Sequence, residues 1–587
     1  MAAMAPSRPQ LTGTFGMVAS THWLATAAGM AELEQGGNAF DAVAAVGFAL
    51  QVVQPHLNGP GGDLPLIFAR ADDPAPTVLC GQGPAPAGAT VAHYRGLGFD
   101  LVPGAGPLAT AVPGSAVAWL TLLRDHGSRG VADVLAYAIE LAERGHTISR
   151  GVVASISRVR ELLTDDWTPS AQVYLPGGVP PAPGELFRNP TLARTYRRLV
   201  EAAVGAPSRE AGIDAAIEAW RTGFVAEAID AFARLPFHHP GYDRHPGVIT
   251  GADVAAFTPT YEPAAAHPFR DVVVHKTQAW GQGPVLLQQL AILDGFDDAE
   301  LDESTVEGMH RIVEAGKLAF ADREAWYGDA LPPPLTALLD PAYTAARRTL
   351  IGERASLELR PGAPGGQQPR LATHLGAHVA GDQPGLGEPT VAYHGDTCHV
   401  DVVDRWGTMV SATPSGGWLQ SSPVIPELGF PLGSRLQMCW LEEGLPGTLT
   451  PGRRPRTTLS PTLIYRDGLP VIAMGTPGGD QQDQWQLSLL LSHLARRLPL
   501  QQAIETPKWH STAFPSSFHP RDTYPGQLVV EDRFAPEVVD GLRARGHEVV
   551  LTDGWSLGRL SAVSREPATG LLQAAADPRD LGYAAGR

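Results

Sequence analysis

The segment Gly395-Asp396-Thr397-Cys398-His399 constrains the fold and chemistry of this chain more than any other. It runs directly into the alternating stretch Val400-Asp401-Val402-Val403-Asp404, and the turn residues Arg405-Trp406-Gly407 follow. Alternation of this kind predicts a β-strand, and the run from Met409 to Thr413 predicts its hairpin partner. The sequence therefore places Thr397 at the opening of a strand, directly after a turn-forming aspartate.

A threonine in such a position can serve as a self-made nucleophile. Its hydroxyl can attack the preceding carbonyl and shift the chain to an ester, and water can then release a new N-terminus. An α-amine titrates at about 7.7 to 8.0, so near neutral pH the freed amine can accept the hydroxyl proton. Cleavage between Asp396 and Thr397 is one interpretation. The other is that Asp396 is an ordinary surface-turn residue before an ordinary strand threonine.

Composition excludes several classes of protein. The chain has 587 residues, of which 44% are apolar and 18% charged, so a large core is easily filled. Its formal net charge of −17 opposes binding to nucleic acid or to anionic membranes, which favours a small-molecule partner. Three cysteines without metal-ligand spacing (Cys80, Cys398, Cys439) indicate a reducing compartment. Because neither a signal peptide nor an apolar run of about 18 residues is evident, we expect a cytoplasmic protein.

The order of predicted elements divides the chain into two parts. Before Thr397, helical spacing dominates, and the predicted helices are Thr21 to Gln35, Phe40 to Val53, Ser115 to Arg124, Val131 to Arg144, Gly223 to Ala233 and Glu307 to Trp326. Residues 351–389 are rich in Gly, Pro and Gln and predict a loop or linker. Beyond Thr397, strands appear, with a hairpin around Asp467-Gly468 and helices at Trp485 to Arg496 and Pro536 to Arg545. This order favours sheets sandwiched between helical layers.

A glycine-rich turn lies between the second predicted helix and a strand. It reads His56-Leu57-Asn58-Gly59-Pro60-Gly61-Gly62-Asp63. Its glycines allow backbone to approach another group closely, so it forms either a pocket wall or simply a tight helix-to-strand turn. It is not a dinucleotide fingerprint, because it follows a helix instead of opening one.

Ordered motifs along nearly the whole chain resemble the γ-glutamyltransferase family. They are Gly36-Gly37-Asn38-Ala39-Phe40-Asp41-Ala42, Pro55-His56 to Gly61-Gly62, Ala85-Pro86-Ala87, Val112-Pro113-Gly114, Glu314-Ala315 to Ala321-Asp322-Arg323, Thr397 with His399, Leu459-Ser460-Pro461-Thr462 and Thr476-Pro477-Gly478-Gly479. The resemblance implies an α/β fold, the four-layer αββα sandwich of N-terminal-nucleophile hydrolases. It also implies a proenzyme that cuts itself into a large subunit, residues 1–396 with a flexible linker at about 351–396, and a small subunit, residues 397–587. Together they would form one αββα domain, and two such heterodimers could associate as a dimer.

The resemblance also assigns roles to residues near the nucleophile. Thr397 matches the nucleophile, and Gly478 and Gly479 match the backbone donors of an oxyanion hole, a role that adjacent N–H groups after a proline can fill. Ser415 stands where the family usually has a second threonine, and it keeps the hydroxyl. Cys398 is better explained as a small buried hydrophobe than as a redox-active thiol. His56 and His399 are better explained by packing than by catalysis.

The substrate-binding positions depart from the family. Where its transpeptidases hold the glutamyl α-carboxylate with an arginine, this chain has Gln82, and where they hold the α-amine with an aspartate, it has Cys439, beside Trp440. Neither replacement can form the missing ionic contact, so γ-glutamyl transfer is disfavoured. Thr457 and Thr458 match a hydroxyl pair that helps to hold the substrate.

Arginines near these positions suggest an anionic acyl group. Arg435 or Arg456 could bind it from a new direction, although Arg453, Arg454 and Arg456 are equally explained as a solvated basic loop. The segment between Trp440 and Thr457 is short compared with lid-bearing members, which favours hydrolysis over transfer.

Two further segments look like the branch of the family that contains oxamate amidohydrolase. They are Ser411 to Trp418 and Thr476 to Trp485. We therefore expect an amidohydrolase that acts on a small acid amide and needs no metal or organic cofactor. A γ-glutamyl enzyme with rebuilt anchors, a cephalosporin or glutaryl acylase, and a catalytically inactive binding protein stay open as alternatives.

Two other polar clusters have simpler explanations. Asp480 and Asp483 could pair with pocket arginines, but a polar helix start before Trp485 explains them as well. His238, His239 and His245 lack clear metal-ligand spacing and are interpreted as a surface loop.

Overall fold

The computed structural model describes residues 6–239, 243–373 and 397–587. Asp396 and the part of the predicted linker from 374 to 395 lie outside the described residues. Residues 351–373 contain only a short 3-10 turn, Pro364–Gly366, as the Gly/Pro/Gln composition predicts.

Two seven-stranded sheets form the centre of the described structure. The first has the strand order Leu11–Gly13, Leu572–Ala576, Ser561–Arg565, Leu469–Gly475, Thr462–Arg466, Val272–Lys276, Ala265–Phe269. The second has the order Tyr583–Gly586, Gly16–Ser20, Val400–Asp404, Met409–Ala412, Leu64–Ala69, Thr77–Gly81, Thr260–Pro263. Both sheets combine strands from before and after Thr397, so neither of the two predicted subunits could form a sheet of this order alone.

Helices cover the outer face of each sheet. Those on the second sheet's side include Trp23–Glu34, Ala39–Val53, Ser115–His126, Val131–Arg144, Arg150–Arg158, Pro190–Ala203, Arg209–Arg221 and Phe224–Ala233. Those on the first sheet's side include Pro284–Leu293, Val306–Trp326, Gln482–Leu490, Leu500–Glu505 and Pro536–Ala544. The predicted helices agree with these to within a few residues, except that the one expected to end at Arg496 passes into a π-turn at Leu491–Ala495.

The side chains of the strand Val400–Asp404 alternate between two layers of the core and so show how the layers are ordered. Val400 and Val402 pack in the cluster under the outer helices, whereas Val403 packs in a separate cluster between the sheets. That inner cluster joins Met17, Ile67, Leu463, Ala473 and Val563 from both sheets, because successive strand residues point to opposite faces. The four layers are therefore αββα, which confirms the predicted fold class.

The predicted hairpin after Thr397 is present. Val400–Asp404 pairs antiparallel with Met409–Ala412, Val400 opposite Ala412, and the strand is flanked on its other side by Gly16–Ser20. The second predicted hairpin, Thr462–Arg466 with Leu469–Gly475, turns at Asp467 and Gly468, both in the left-handed region. None of the helices in the described ranges is long and apolar enough to cross a membrane.

Candidate active site

Thr397 and Ser415 lie together at the open end of the hairpin. The backbones of the two residues form an isolated antiparallel bridge. The Oγ1 of Thr397 donates a hydrogen bond to the Oγ of Ser415 at 3.3 Å. Cys398 N donates to the carbonyl of Pro414 at 2.9 Å, which extends the ladder from Val400 back to Thr397. Both residues are buried, Thr397 completely. The hairpin thus positions the predicted nucleophile beside a hydroxyl, as the resemblance implies.

Asp63 forms the wall behind Ser415. Its backbone exchanges hydrogen bonds with that of Ser415, at 2.8 and 3.1 Å. Its carboxylate accepts from Nη2 of Arg435 at 3.0 Å, and Nε of Arg435 lies 2.9 Å from the other oxygen, close enough for ion pairing but not aligned as a hydrogen bond. Burial raises the pKa of Asp63, and Arg435 opposes that shift. Arg435 is therefore committed to Asp63 and is not available for an acyl anion, which corrects the expectation for this arginine.

The glycine turn before Asp63 packs directly against the segment that carries Ser415. A Cβ on Gly62 would lie 2.1 Å from the carbonyl oxygen of Ser415, and one on Gly59 would lie 2.4 Å from that of Gly417. These are the close backbone approaches that the glycines predicted.

Cys398 has the environment of a buried small residue. Its Sγ accepts from Nδ2 of Asn58 at 3.1 Å and contacts Oε1 of Gln54 at 3.2 Å. Burial raises the pKa of this thiol to about 12. As the residue that follows Thr397, Cys398 points its side chain to the opposite face. Its thiol stays protonated at neutral pH, so Cys398 is no alternative nucleophile.

His399 connects the strand of Thr397 to the other sheet. Its Nδ1 lies 2.9 Å from Oγ1 of Thr413 and its Nε2 lies 2.9 Å from Oδ1 of Asp401, whose other oxygen accepts from Ser561 at 2.8 Å. A Cβ on Gly475 would lie 2.2 Å from the His399 ring. The end of the strand Leu469–Gly475 thus meets the strand of Thr397, and it is followed at once by the predicted oxyanion loop.

That loop has a backbone only glycine adopts readily. Gly478 has φ +127° and Gly479 has φ +52°. A Cβ on Gly478 would lie 2.2 Å from the ring of Trp485, and one on Gly479 would lie 3.0 Å from that of Phe518. Two aromatic rings therefore fix the path of this backbone. Their contact explains why glycines occupy both positions, whichever ligand the N–H groups bind.

Two of the predicted substrate residues, Thr457 and Thr458, follow a loop that is hydrogen-bonded to the chain just after a third, Gln82. Near Gln82, Gly452 N donates to the carbonyl of Ala85 at 2.9 Å and Ala85 N donates to the carbonyl of Arg453 at 2.8 Å. Thr457 N donates to the carbonyl of Trp280 at 3.2 Å. The Oε1 of Gln82 and the Oγ1 of Thr458 are buried without a hydrogen-bond partner among the described residues. Unpaired buried polar atoms of this kind are free to bind a ligand.

The neighbouring arginines are not one basic loop. Arg453 is exposed, but Arg454 pairs with Asp329 (Nη2–Oδ1 2.9 Å) and with Glu262. Arg456 is buried, and its Nη2 lies 2.8 Å from Glu324 and 3.1 Å from the Ser517 hydroxyl. The solvated-loop interpretation therefore holds for Arg453 and is wrong for Arg456, which folding carries into the interior.

Cys439 and Trp440 lie beside a residue that the sequence did not single out. Cys439 packs with Ala85, Tyr94 and Leu108, and burial raises the pKa of its thiol to about 12. Its backbone carbonyl accepts from Nη2 of Arg521 at 3.1 Å, and the Arg521 guanidinium lies 4.3 Å from the ring centroid of Trp440.

The remaining polar clusters differ in part from expectation. Asp480 is buried and pairs with Arg323 and with the Ser517 hydroxyl, at 2.6 Å for the latter. Asp483 does lie in the first turn of the helix Gln482–Leu490, but its carboxylate is 3.3 Å from Lys276 Nζ. His239 is fully buried and accepts from Leu108 N at 3.0 Å, so the surface-loop interpretation is wrong for it.

The residues that sequence reasoning missed are Asp63, Arg323, Phe518 and Arg521. Asp63 ends the glycine turn, and a carboxylate beside a possible pocket wall is the sequence feature that could have identified it. Arg323 stood at the end of a family motif that gave it no role. Phe518 and Arg521 carry no local signal, because only packing brings the segment 515–521 against Gly479 and the segment 435–440.

The αββα fold places the chain among the N-terminal-nucleophile hydrolases. The model of the gamma-glutamyltranspeptidase family matches residues 25–587, and the chain belongs to that family. The oxamate amidohydrolase proenzyme of Klebsiella pneumoniae is 32% identical over 597 residues, covering 98% of each chain. Among solved structures, LmbA2991HD is 56% identical with a TM-score of 0.95 over the whole of both chains. The cephalosporin acylase of Bacillus halodurans is 26% identical with a TM-score of 0.83, covering 100% of this chain and 98% of that one.

Proposed function

We propose that this chain is a proenzyme that cleaves itself between Asp396 and Thr397 and then hydrolyses the amide of a small acid such as oxamate. The observation that carries the proposal is the 3.3 Å hydrogen bond between the hydroxyls of Thr397 and Ser415 at the start of a buried strand. The proposed large and small subunits are residues 1–396 and 397–587. The dimer of such heterodimers and the cytoplasmic location stay predictions.

The proposed reaction runs through an ester on Thr397. The freed α-amine takes the hydroxyl proton as Oγ1 attacks the amide carbon, and that proton passes to the leaving nitrogen as the C–N bond breaks. Water then cleaves the ester and regenerates the threonine. For oxamate the balance is oxamate plus water giving oxalate plus ammonium.

Ser415 and the loop at Gly478 and Gly479 would assist these steps. The Ser415 hydroxyl is placed to hold the Thr397 hydroxyl, and the Asp63 backbone holds Ser415. The N–H groups of Gly478 and Gly479 would donate to the oxyanion, a contribution of about 2.7 to 4 kcal/mol for one donor.

The binding residues favour an acid that lacks an α-amine. Cys439 is a neutral thiol in an apolar cluster, so no carboxylate is present there to hold an amine. Gln82 and Thr458 each offer a buried, unpaired polar atom to a small polar ligand. A glutamyl zwitterion would leave its ammonium group without a charged partner, which costs affinity.

A larger acid amide is the second candidate. A cleft of about 620 Å³ lies beside Gln82, lined also by Pro84, Val112, Phe257 and Asp329. Its volume is that of an ordinary ligand pocket. Its lining does not include Thr397, Ser415, Gly478 or Gly479, so it could hold only the part of a larger amide that lies away from the scissile bond. The likeness to a cephalosporin acylase points the same way.

Turnover of matched amides tests the proposal. Purified, processed protein is incubated separately with oxamate, a glutaryl amide and a γ-glutamyl anilide, and ammonia or amine release is measured together with acid-quenched mass. We expect stoichiometric oxalate and ammonia from oxamate and an acyl group on the small subunit. Faster release from the glutaryl amide would instead favour the second candidate. Faster release from the γ-glutamyl anilide, or no release at all, would contradict both.

A further inference from the structure

Arg521 is a buried arginine whose hydrogen bonds within the described residues go to backbone carbonyls. Its Nη2 donates to the carbonyls of Gln437 and Cys439, at 2.9 and 3.1 Å, and its Nη1 makes one long contact of 3.5 Å to the carbonyl of Ser516. Its side chain stacks over Trp440, and the residue is 5% exposed. Among the described residues, no carboxylate lies within ion-pairing distance of the guanidinium, and its Nε makes no hydrogen bond to them.

Glu324 and Asp480, two carboxylates whose charges act on Arg521, are already engaged. Glu324 pairs with Nη2 of Arg323 and Nη2 of Arg456, at 2.8 Å in each case, and Asp480 pairs with Arg323. This buried cluster therefore holds the cations Arg323, Arg456 and Arg521 against the anions Glu324 and Asp480, an excess of one positive charge. Burial and the charge of Arg456 lower the pKa of Arg521 to about 10, so Arg521 stays cationic at neutral pH.

An unpaired buried cation is costly, and proteins usually provide it with a partner. An anionic ligand would supply the missing charge, and the Nε and Nη1 of Arg521 retain donors for it. The backbone of Arg521 gives a second indication, because its φ of +75° lies in the left-handed region that a non-glycine residue enters at a cost. The loop accepts that strain while it holds Arg521 against Trp440.

The position of this loop ties Arg521 to the candidate active site. Phe518, three residues before it, packs against Gly479 of the proposed oxyanion loop. His519 N donates to Oε1 of Gln437 at 3.1 Å, which fixes the loop to the segment 435–440. That segment begins at Arg435, whose ion pair with Asp63 stands behind Ser415. The loop of Arg521 therefore contacts both sides of the site.

We propose that Arg521 binds the carboxylate of the acyl group and so makes the enzyme selective for amides that carry an anion next to the scissile carbonyl. This rests on the proposed function, and it names the anion-binding residue of that same site. Arg521 takes the role that the sequence offered to Arg435 or Arg456, since Arg435 pairs with Asp63 and Arg456 with Glu324.

Oxamate and oxamide form the matched pair of substrates. The two differ in that oxamide has a second amide where oxamate has a carboxylate, so their ratio of kcat/KM measures recognition of the charge. Wild type is compared with Arg521→Gln, with Arg521→Lys and with a control, Arg453→Gln, which removes an exposed arginine. Cleavage into two chains is checked first for each variant, and oxalate binding is measured by calorimetry on the same samples.

We expect Arg521→Gln to lower the oxamate-to-oxamide ratio at least thirtyfold, mainly through KM, and to weaken oxalate binding at least tenfold. Arg521→Lys should lower the ratio about tenfold, because a lysine lacks the planar fork of donors. Arg453→Gln should change neither quantity by more than twofold.

The outcomes distinguish failure of the proposed function from failure of the proposed role of Arg521. If wild type neither cleaves itself nor hydrolyses oxamate, the proposed function fails, and oxalate binding alone then decides the role of Arg521. If oxamate is hydrolysed and Arg521→Gln keeps the ratio and the oxalate affinity within twofold of wild type, Arg521 is not the anchor. Where Arg521→Gln fails to fold, an unchanged ratio and unchanged oxalate affinity in Arg521→Lys overturn the inference in the same way.

Discussion

Asp63 and Arg435 form a buried ion pair directly behind Ser415, with Arg435 Nη2 3.0 Å from Asp63 Oδ1. The two residues are 372 positions apart in the chain. The pair fixes the glycine turn to the segment that follows the hairpin, and the backbone of Asp63 holds that of Ser415. The geometry around the proposed nucleophile therefore depends on a contact that belongs to no single motif.

Replacement of Asp63 by Asn should destabilise the protein and slow its cleavage. The change leaves the Arg435 guanidinium buried without a counter-charge, a loss of about 3 to 5 kcal/mol for pairs of this kind. Denaturant unfolding and the fraction cleaved after expression measure both effects. The matched control is Asp72→Asn, since Asp72 pairs with Arg70 on the surface at 73% side-chain exposure and should cost about 1 kcal/mol or less. Equal losses in the two variants would contradict this role of Asp63.

Ser415 should act through its hydroxyl. Ser415→Ala removes the hydrogen bond to Thr397, which is worth about 0.5 to 1.5 kcal/mol, so cleavage and turnover should each slow by roughly threefold to tenfold. Ser415→Thr keeps the hydroxyl and should retain most of both rates. Rates are taken from the time course of chain cleavage and from ammonia release. Equal rates in Ser415→Ala and wild type would show that the hydroxyl is idle.

Gly478 should tolerate no side chain. In Gly478→Ala the new Cβ meets the Trp485 ring at 2.2 Å, so the loop must move and the proposed oxyanion donors with it. We expect turnover to fall by about 10²-fold or more, as on loss of an oxyanion donor. Gly570→Ala is the control, because Gly570 has φ +73° with open space around it and shares the backbone strain without the clash. If both variants lose activity alike, strain alone explains the effect.

The thiols should be inert in the folded protein. Burial raises the pKa of Cys80 to about 11 and those of Cys398 and Cys439 to about 12, so the thiolate fraction at pH 8 is roughly 10⁻³ or less. Iodoacetamide at pH 8 should modify none of the three without denaturant and all three in urea, with native activity unchanged. Rapid native labelling of Cys398 together with loss of activity would restore it as a candidate nucleophile.

The sequence predicts the local parts of this site well and the long-range parts poorly. The hairpin that brings Thr397 to Ser415 follows from alternation and turn residues over a short stretch, and both hairpins are present where predicted. The αββα order follows once the family motifs are recognised. In contrast, the sequence offers Arg435 or Arg456 as an anchor for an acyl anion, with a solvated loop as the equal alternative for Arg456. Their partners Asp63 and Glu324 come from distant segments.

Arg521 illustrates the limit most clearly. Its contacts to Gln437 and Cys439 span 84 and 82 positions, and its isolation from carboxylates depends on how Arg323 and Arg456 occupy Glu324 and Asp480. No pattern of periodicity or spacing reports such a balance of charge, because it arises from packing in three dimensions.

The most direct test of a self-made threonine nucleophile is the denatured mass of freshly purified protein beside that of Thr397→Ala. We expect two chains that meet between Asp396 and Thr397 in wild type, with threonine at the new N-terminus, and one intact chain in the variant. Ser415→Thr serves as a control that should still be cleaved. One uncut chain in both wild type and Thr397→Ala, or cleavage at the same bond in both, would contradict a self-made threonine nucleophile.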